Sequence, residues 1–281
     1  MKYTIVIPAK NEAQGLSSLL PKLLALGAHE IIIVDDGSTD DTCAVCADYN
    51  VTVISHPYSK GNGASIKTGA RASSTELTVF MDADGQHKPE DVDMLITELQ
   101  QGGYDMVVGA RDADSQAGAF RGIGNKLYNL FSSWVVGRKI PDLTSGFRAV
   151  KTSLFMEFLP LLPNGFSYPT TITMSFFRAG YSVGYRTISM PPRIGKSHLR
   201  IWKDGGRFLV IIFKVGTLYS PLKIFLPFAA AHFALGILYY SYTFFAFGRF
   251  TNMSALLFSS SVIIFLIGLV SEQISTLLYK K

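Results

Sequence analysis

Thr78-Val79-Phe80-Met81-Asp82-Ala83-Asp84-Gly85-Gln86-His87 is an apolar, strand-like run that ends in two carboxylates spaced two apart. Gly85 turns the chain and Gln86 adds a neutral oxygen. Along an extended chain, residues two apart point the same way. The spacing therefore predicts that Asp82 and Asp84 converge on one hard cation, Mg²⁺ or Mn²⁺, for which carboxylates are suitable ligands. An ion held at a strand's C-terminal end, with room for substrate oxygens, suits diphosphate chemistry. A solvated turn would use the same residue types, so the motif has to be weighed with the rest of the chain.

The same unit recurs on either side. Strand-like runs are expected at Tyr3–Ile7, Glu30–Val34, Val51–Ser55, Leu77–Met81 and Asp105–Gly109. Helices are expected between them near Glu12–Leu26, Thr39–Tyr49, Gly61–Ser73 and Pro89–Gln101. Pro89, followed by Glu90 and Asp91, is a helix-start signal. Apolar strands without a polar face, alternating with helices, predict an α/β fold with a mostly parallel sheet covered on both sides. Such sheets bind ligands at the C-terminal strand ends. The polar clusters at Pro8–Glu12, Asp35–Asp40, His56–Gly63, Asp82–His87 and Arg111–Asp114 all follow strands, so they are expected to share one rim. Phe120–Val136 reads as a helix with Asn125, Asn129 and Ser132 on one side. Asp142-Leu-Thr-Ser-Gly-Phe-Arg148 reads as a polar turn.

The composition changes after about residue 200. The chain has 281 residues, 48% of them hydrophobic, and a net charge of +5, with Lys and Arg clustered between Arg193 and Lys223. No nucleic-acid motif accompanies the basic cluster, so membrane lipid is the expected partner and nucleic acid is not. Gly206–Tyr219 is apolar but interrupted by Arg207 and Lys214, which suits an interfacial helix. Ile224–Phe247 and Thr251–Ser271 carry no charged residue. Each is long enough to cross roughly 30 Å of hydrocarbon. Basic residues flank the pair, and only Arg249 lies in the turn between them. The positive-inside rule then places the large domain and the C-terminus in the cytoplasm. The expected layout is a catalytic domain over 1–200, a juxtamembrane segment over 201–221 and a two-helix transmembrane hairpin over 222–281. No signal-peptide h-region is read ahead of Tyr3. Cys43 and Cys46 form a lone C-x-x-C with no second pair. Helix packing is expected for them rather than redox or metal chemistry.

Pro8-Ala-Lys-Asn-Glu12, Val34-Asp-Asp-Gly-Ser-Thr-Asp40, Lys60-Gly61-Asn62-Gly63 and Asp82-Ala-Asp-Gly-Gln86 together resemble the family 2 glycosyltransferases. The nearest branch by resemblance is the membrane-anchored polyprenol-phosphate and dolichol-phosphate sugar synthases. The resemblance covers about residues 3–200 and implies a GT-A, Rossmann-like fold. It implies nucleotide-sugar binding by Pro8, Lys10, Glu12, Val34, Asp36, Lys60, Asp82, Ala83, Asp84, Arg111, Arg193 and His198. Asp36 would bond the base, with Asp35 or Asp36 also serving as a helix cap, and Gly61 and Gly63 would let backbone approach the nucleotide. Asp82, Asp84 and Gln86 would hold the metal.

In this branch the attacking group is a lipid phosphate. Arg111, Arg121, Asn125 and Arg148 are the candidates to hold it, since Arg offers a forked donor for phosphate. Asp84, Arg121, Arg148 and Asp142 are the expected catalytic residues, with Asp142 either orienting Arg148 or touching the sugar. Arg193-Ile-Gly-Lys-Ser-His198 departs from the branch's pattern: one residue fewer precedes Gly195, and His198 stands where relatives have Lys. The donor, GDP- or UDP-linked, is left open.

The expectation is an inverting glycosyltransferase that moves a sugar from a nucleotide sugar to polyprenyl phosphate at the cytoplasmic face of the inner membrane. A transferase acting on a lipid or glycan hydroxyl is the alternative within the class. A non-catalytic membrane subunit that binds nucleotide sugar is the alternative outside it. Self-association into a homo-oligomer is left open.

Overall fold

The computed structural model describes residues 2–111, 119–165, 167–189, 213 and 216–278. The chain divides into two compact units, Met1–Leu199 and Arg200–Lys281.

The first unit is built on a seven-stranded sheet. In chain order its strands are β1 (Tyr3–Ala9), β2 (Glu30–Asp35), β3 (Thr52–Ser55), β4 (Leu77–Phe80), β5 (Met106–Arg111), β6 (Arg148–Lys151) and β7 (Val183–Ile188). Their order across the sheet is β3-β2-β1-β4-β6-β5-β7. Every pairing is parallel except those of β6, which runs antiparallel to both β4 and β5. The fold class follows the sequence reading. Strand β6 is the exception, because its first residue, Arg148, closes the segment expected to be a polar turn.

Helices cover both faces. The helices α1 (Ala13–Leu24) and α4 (Glu90–Gln101) turn Leu16, Leu19, Leu20 and Leu23, and Val92, Leu95, Ile96 and Leu99, onto Ile5, Ile7, Ile33, Val79 and Val107. Apolar residues three and four apart make one stripe on each helix. Strand residues alternate between faces, so Val6 and Val34 point the other way. They meet α3 (Asn62–Ala72) at Gly69, where a Cβ would overlap the Val6 side chain. The short helix α2 (Thr42–Ala47) buries Cys46 and leaves Cys43 exposed. It begins at Thr42, later than the expected start near Thr39. Burial pushes the Cys46 thiol up to about 11, which suits a packing role and not a reactive one. The remaining α-helices of this unit among the described residues are α5 (Ala119–Val136), α6 (Thr152–Glu157) and α7 (Tyr168–Arg178).

The glycine-rich entry to α3 packs closely against another loop of the chain. Gly61 has φ +100°, and a Cβ there would lie 2.6 Å from the Asn164 carbonyl oxygen. At Gly63 a Cβ would overlap the Pro163 carbonyl oxygen. Ala64 N–H donates to Asn164 O (2.8 Å) and Gly63 N–H to Gly165 O (3.3 Å). The first N–H groups of α3, which lack partners within the helix, are therefore met by the 163–165 loop. Lys67 fastens that loop by donating to Leu162 O (3.1 Å) and to Asn164 Oδ1. These glycines admit a neighbouring loop of the same chain, where open backbone for a nucleotide was expected.

In the second unit, α8 (Pro221–Phe247) and α9 (Asn252–Leu278) form a hairpin. At 1.5 Å per residue each is about 40 Å long, and both are apolar enough to cross a bilayer. Gly248, in the left-handed region at φ +65°, ends α8 and returns its N–H to Phe244 O (2.8 Å). The seam is made of small residues at heptad spacing. Ala229, Gly236 and Thr243 are buried on α8, and Ser254, Ser261, Gly268 and Ser275 on α9. Phe258 packs over Gly236 and Phe225 over Gly268. Ser261 Oγ donates to Ala229 O (2.9 Å), and Glu272 accepts the Leu222 N–H at the start of α8 (3.2 Å). Close approach through small residues with interhelical hydrogen bonds is how helices associate in lipid. Of the expected juxtamembrane segment over 201–221, residues 213 and 216–219 are helical, Ser220 follows and Pro221 begins α8, while 201–212, 214 and 215 lie outside the described residues.

Replacing Gly63 with Ala should force the 163–165 loop off the start of α3. Overpacking of this kind costs about 1–3 kcal/mol. A thermal melt should show a lower midpoint for Gly63→Ala than for Gly165→Ala, whose added Cβ meets nothing within 4 Å.

Candidate active site

The polar clusters gather where the strands end. Pro8 on β1 pairs in register with Val34 on β2. The loops that follow are laced together: Asn11 N–H donates to Ser38 Oγ (2.9 Å), Asn11 Oδ1 accepts from Thr39 N–H (2.8 Å), and Glu12 N–H donates to Thr42 Oγ1 (3.0 Å). Asn11 takes φ +56°, a left-handed conformation that Asn tolerates. Pro8, Glu12 and Val34 are thus brought to one corner, beside exposed Lys10. A Cβ on Gly15 of α1 would overlap the Ala83 carbonyl oxygen, so only glycine lets α1 lie against the 82–85 turn.

Asp35 and Asp36 divide their labour. Asp35 Oδ1 accepts the Ser38 N–H (3.1 Å), a local turn cap. Asp36 is 5% exposed. Its Oδ1 is reached by His56 Nδ1 (2.8 Å) and Lys60 N–H (2.7 Å), and its Oδ2 by Ser59 Oγ (2.6 Å) and Gly61 N–H (2.9 Å). Four donors occupy both oxygens. In place of an open acceptor for a base, the carboxylate is an anchor that holds the 56–61 loop to the rim. His56 Nε2 is fixed in turn by Thr68 Oγ1 (3.0 Å). Burial by itself would raise the Asp36 pKa; the four hydrogen bonds outweigh it and bring it down to about 2. The Lys60 side chain lies 5.8 Å from the exposed Tyr58 ring centroid.

Strand β4 ends at Phe80, so the Asp82–Gln86 segment is a turn. The extended geometry that predicted two carboxylates on one side does not apply: Asp82 and Asp84 flank the turn, and Asp84 Oδ1 accepts the Gln86 N–H (3.2 Å). The Asp82 side chain is 40% exposed, with Oδ2 3.4 Å from Nε2 of buried His87. His87 stacks on Phe147, with ring centroids 4.7 Å apart. Neither His87 nor Phe147 was read as a site residue.

Beside Asp82 lies a cavity of about 110 Å³ lined by Asn62, Thr144, Gly146, Gly165, Ser167, Tyr168, Pro169 and Thr170. A Cβ at Gly146 would sit 3.1 Å from the Asp82 carboxylate. Sequence reasoning missed this wall. The signal available was Ser167-Tyr168-Pro169, a helix start with Pro in its first turn. Ser167 takes φ +82°, unusual for a residue with a side chain and commonest at functional sites.

The arginines separate. Arg111, at the end of β5, grips Asp142 with two bonds, Nε to Oδ2 (2.7 Å) and Nη2 to Oδ1 (3.0 Å). Burial opposes ionisation of both groups, and the pairing outweighs it, holding Asp142 below the usual carboxylate range and Arg111 above its usual value. Asp142 therefore orients Arg111 and not Arg148. Asn129 supports the arrangement by accepting the Leu143 N–H (3.1 Å) and donating to Pro141 O (2.7 Å).

Arg148 is fully buried. Its Nη1 donates to Pro169 O and Thr173 Oγ1 (both 3.2 Å) and its Nη2 to Ser145 O, and the guanidinium lies 5.6 Å from the Tyr168 ring centroid. Its Nε finds no partner among the described residues. A phosphate arriving from outside cannot reach it in this arrangement. Expected as an acceptor ligand, Arg148 here ties the Ser145 wall of the cavity to the α7 wall, and desolvation lowers its pKa. Arg121 and Asn125 lie on α5, with side chains outside the described residues, and Arg193 and His198 lie outside the described residues altogether.

Among the described residues no group of three or more His, Cys, Asp or Glu is placed to cage a metal. Mg²⁺-type ions usually take only one or two carboxylates and fill their other positions with water and substrate phosphates. Asp82 at the cavity, with Asp84 and Gln86 in the turn that follows, supplies oxygen donors of the type such an ion takes.

Comparison with known proteins agrees with the geometry. Residues 4–159, more than half of the chain, match the model of glycosyl transferase family 2, and residues 220–277 match that of the GtrB C-terminal hairpin. Glycosyltransferase AglJ of Haloferax volcanii is 25% identical over 84% of this chain and 80% of its own length. An undecaprenyl-phosphate 4-deoxy-4-formamido-L-arabinose transferase of Photorhabdus laumondii is 30% identical over 60% of this chain. The chain spans 58% of that relative's length and 63% of another's, less than two thirds of each. Glucosyl-3-phosphoglycerate synthase of Mycobacterium tuberculosis, solved with Mn²⁺, UDP and glucosyl-3-phosphoglycerate, shares the fold: TM-score 0.60, 21% identity, covering 76% of this chain and 78% of its own.

Two expectations follow. The Asp36 carboxylate has a folded pKa of about 2, below its unfolded value near 3.9. Its contribution, on the order of 2 kcal/mol, is complete above the unfolded pKa and lost as pH falls through the folded one. Denaturation measured between about pH 5 and pH 2 should show a shallower acid limb for Asp36→Asn, which is already less stable at neutral pH. At Arg148, Met should preserve more stability than Lys. Lys keeps a buried charge but cannot fork to both walls, and a buried charge without its hydrogen-bond partners costs more than an apolar side chain of similar length. Chemical denaturation of the two variants makes the comparison.

Proposed function

We propose that this chain, which belongs to glycosyl transferase family 2, moves a sugar from a GDP- or UDP-linked donor to polyprenyl phosphate, inverting the anomeric centre, at the cytoplasmic face of a membrane. One observation carries the reading: Asp82 of the D-x-D turn opens onto a cavity lined by neutral hydrogen-bonding side chains. The Arg111–Asp142 pair is held against the same strand ends. Carboxylates that accept a metal diphosphate, a hydroxyl-rich pocket of sugar scale and a fixed guanidinium are the parts that nucleotide-sugar transfer requires. The acceptor is supported by the arabinose transferase, whose name specifies undecaprenyl phosphate, and by two membrane-length helices in the same chain. Mn²⁺ and UDP in the glucosyl-3-phosphoglycerate synthase structure support a divalent ion and a nucleotide donor.

In this reading Pro8, Lys10, Glu12 and Val34 bound the base and ribose, while Asp36 shapes the pocket by holding the 56–61 loop. Asp82, Asp84 and Gln86 hold Mg²⁺ or Mn²⁺, which when bound neutralises charge on the departing diphosphate. Asn62, Thr144, Ser167 and Thr170 offer hydrogen bonds to the sugar. A phosphate monoester is already an anion at neutral pH, so it needs alignment more than a general base. One of its oxygens bonds to the anomeric carbon from the face opposite the leaving group, and the bond from that carbon to the diphosphate oxygen breaks as the nucleoside diphosphate leaves. Arg111 with Arg121 and Asn125 would align the attacking phosphate, and Asp142 keeps the Arg111 fork in place. Arg193 and His198 would meet the donor diphosphate. The basic flanks of the helix pair support a cytoplasmic placement of the catalytic unit.

Full-length protein in membranes, given labelled UDP- and GDP-sugars with polyprenyl phosphate and Mn²⁺, should pass label into extractable lipid. Excess EDTA should abolish this, and Asp84→Asn should lower it at least about 100-fold. Absence of labelled lipid with every donor overturns the acceptor, and undiminished transfer in EDTA overturns the metal.

A further inference from the structure

Beside the D-x-D turn sits an imidazole that no step of sugar transfer employs. His87 is 3% exposed, and its ring stacks on Phe147 with centroids 4.7 Å apart and planes 23° apart. Phe147 immediately precedes β6 and is buried in the same core cluster as Val79, Val107 and Ala149. Two residues after His87, Pro89 leads into α4, and Asp91 N–H donates to Lys88 O (3.0 Å). The fixed φ of proline and the immediate helix start leave the chain at 87 little freedom. The ring is thus set in place by the sheet edge on one side and by a helix start on the other.

The two ring nitrogens have different surroundings. Nε2 lies 3.4 Å from Asp82 Oδ2, whereas Nδ1 has no partner among the described residues. A carboxylate only accepts, so a ring proton is on Nε2 and points at Asp82. An unpartnered acceptor at Nδ1 is tolerated better than an orphaned N–H would be. Packing alone does not call for this residue, since a phenyl ring would stack as well without a polar edge to bury. The contact to Asp82 is what the imidazole adds. Asp82 itself needs holding: its side chain is 40% exposed, on a turn, with several staggered rotamers open to it. Gly146 limits it on another side, where a Cβ would sit 3.1 Å from Oδ2 and 3.3 Å from Oδ1.

We infer that His87 is a positioning residue for divalent-cation binding: its Nε2–H holds Oδ2 of Asp82 and presents the carboxylate in one orientation. This role rests on the reading of Asp82 as a ligand of Mg²⁺ or Mn²⁺. Hydrogen bonds to a ligating carboxylate orient it before the ion arrives, and their loss typically weakens metal affinity about 10- to 100-fold. The β6 register therefore reaches the turn twice, through Gly146 against the carboxylate and through Phe147 under the imidazole that grips it.

Two substitutions separate positioning from packing, because they keep opposite halves of the side chain. His87→Phe keeps a flat ring against Phe147 and loses the N–H. His87→Gln keeps an N–H donor near the position of Nε2 and loses the ring. Mn²⁺ binding to full-length protein in detergent, read from the electron paramagnetic resonance signal of the free ion with and without UDP or GDP, gives the affinity, and Asp84→Asn gives the background. His87→Phe should weaken Mn²⁺ binding about 10- to 100-fold with a thermal midpoint close to that of the unaltered chain. His87→Gln should bind Mn²⁺ within about threefold of the unaltered chain, at a lower midpoint. The positioning role falls if His87→Phe binds Mn²⁺ as the unaltered chain does, or if His87→Gln loses the ion along with His87→Phe. An unaltered chain that takes up no more Mn²⁺ than Asp84→Asn overturns the metal reading itself, and the role of His87 with it.

Discussion

The ladder of β6 between β4 and β5 is the constraint from which the site follows. Arg148 stands opposite Phe80, the last residue of β4, and opposite Val108 near the end of β5. Because β6 runs against its neighbours, the residues before it emerge at the edge where those strands finish. That register sets Asp142–Gly146 beside the Asp82–Gln86 turn and lets Asp142 meet Arg111. A parallel strand in this slot would deliver the same residues to the far edge of the sheet. The sheet thus decides which loops share a rim, and the loops supply the chemistry.

The rim is held by charges that serve the fold as much as any ligand. Asp36 spends its carboxylate on four donors of the 56–61 loop, and Asp142 spends its own on Arg111. Such anchoring places groups before substrate arrives, and preorganisation is where binding and catalysis gain most. Arg148 extends this logic to a fully buried cation. It bridges two walls of the cavity without a carboxylate in contact among the described residues. Glycine supports the site by close packing. Gly15, Gly61, Gly63 and Gly146 each sit where a methyl group would crowd a neighbouring backbone or the Asp82 carboxylate.

The second unit obeys a different solvent. In a soluble domain, Phe245 at 86% exposure and Leu238 at 67% would be costly; on a helix in lipid they are the expected outer face. With no hydrophobic drive between helices in hydrocarbon, the seam relies on Gly, Ala, Ser and Thr at heptad spacing and on Ser261 and Glu272 reaching backbone groups of the facing helix. Glu272 lies just past the charge-free run and is used at a helix start, where a carboxylate is favoured by the exposed N–H groups and the helix dipole.

What the sequence determined by itself was everything carried by local period and composition. Alternating apolar runs and helical stripes announced a mostly parallel sheet, the acidic pair after Val79-Phe80-Met81 marked a strand end, and two uncharged runs announced the hairpin. These signals survive because burial, turning and lipid solubility act on neighbouring residues. The tertiary structure alone decided which distant groups meet. An arginine that reads as a phosphate ligand is drawn inside by its strand register, an acid expected beside Arg148 pairs with Arg111, and glycines expected at a nucleotide touch residues 163–165. Each of those outcomes depends on segments far apart in the chain being placed side by side, and no local pattern encodes which oxygen will be within reach of which nitrogen.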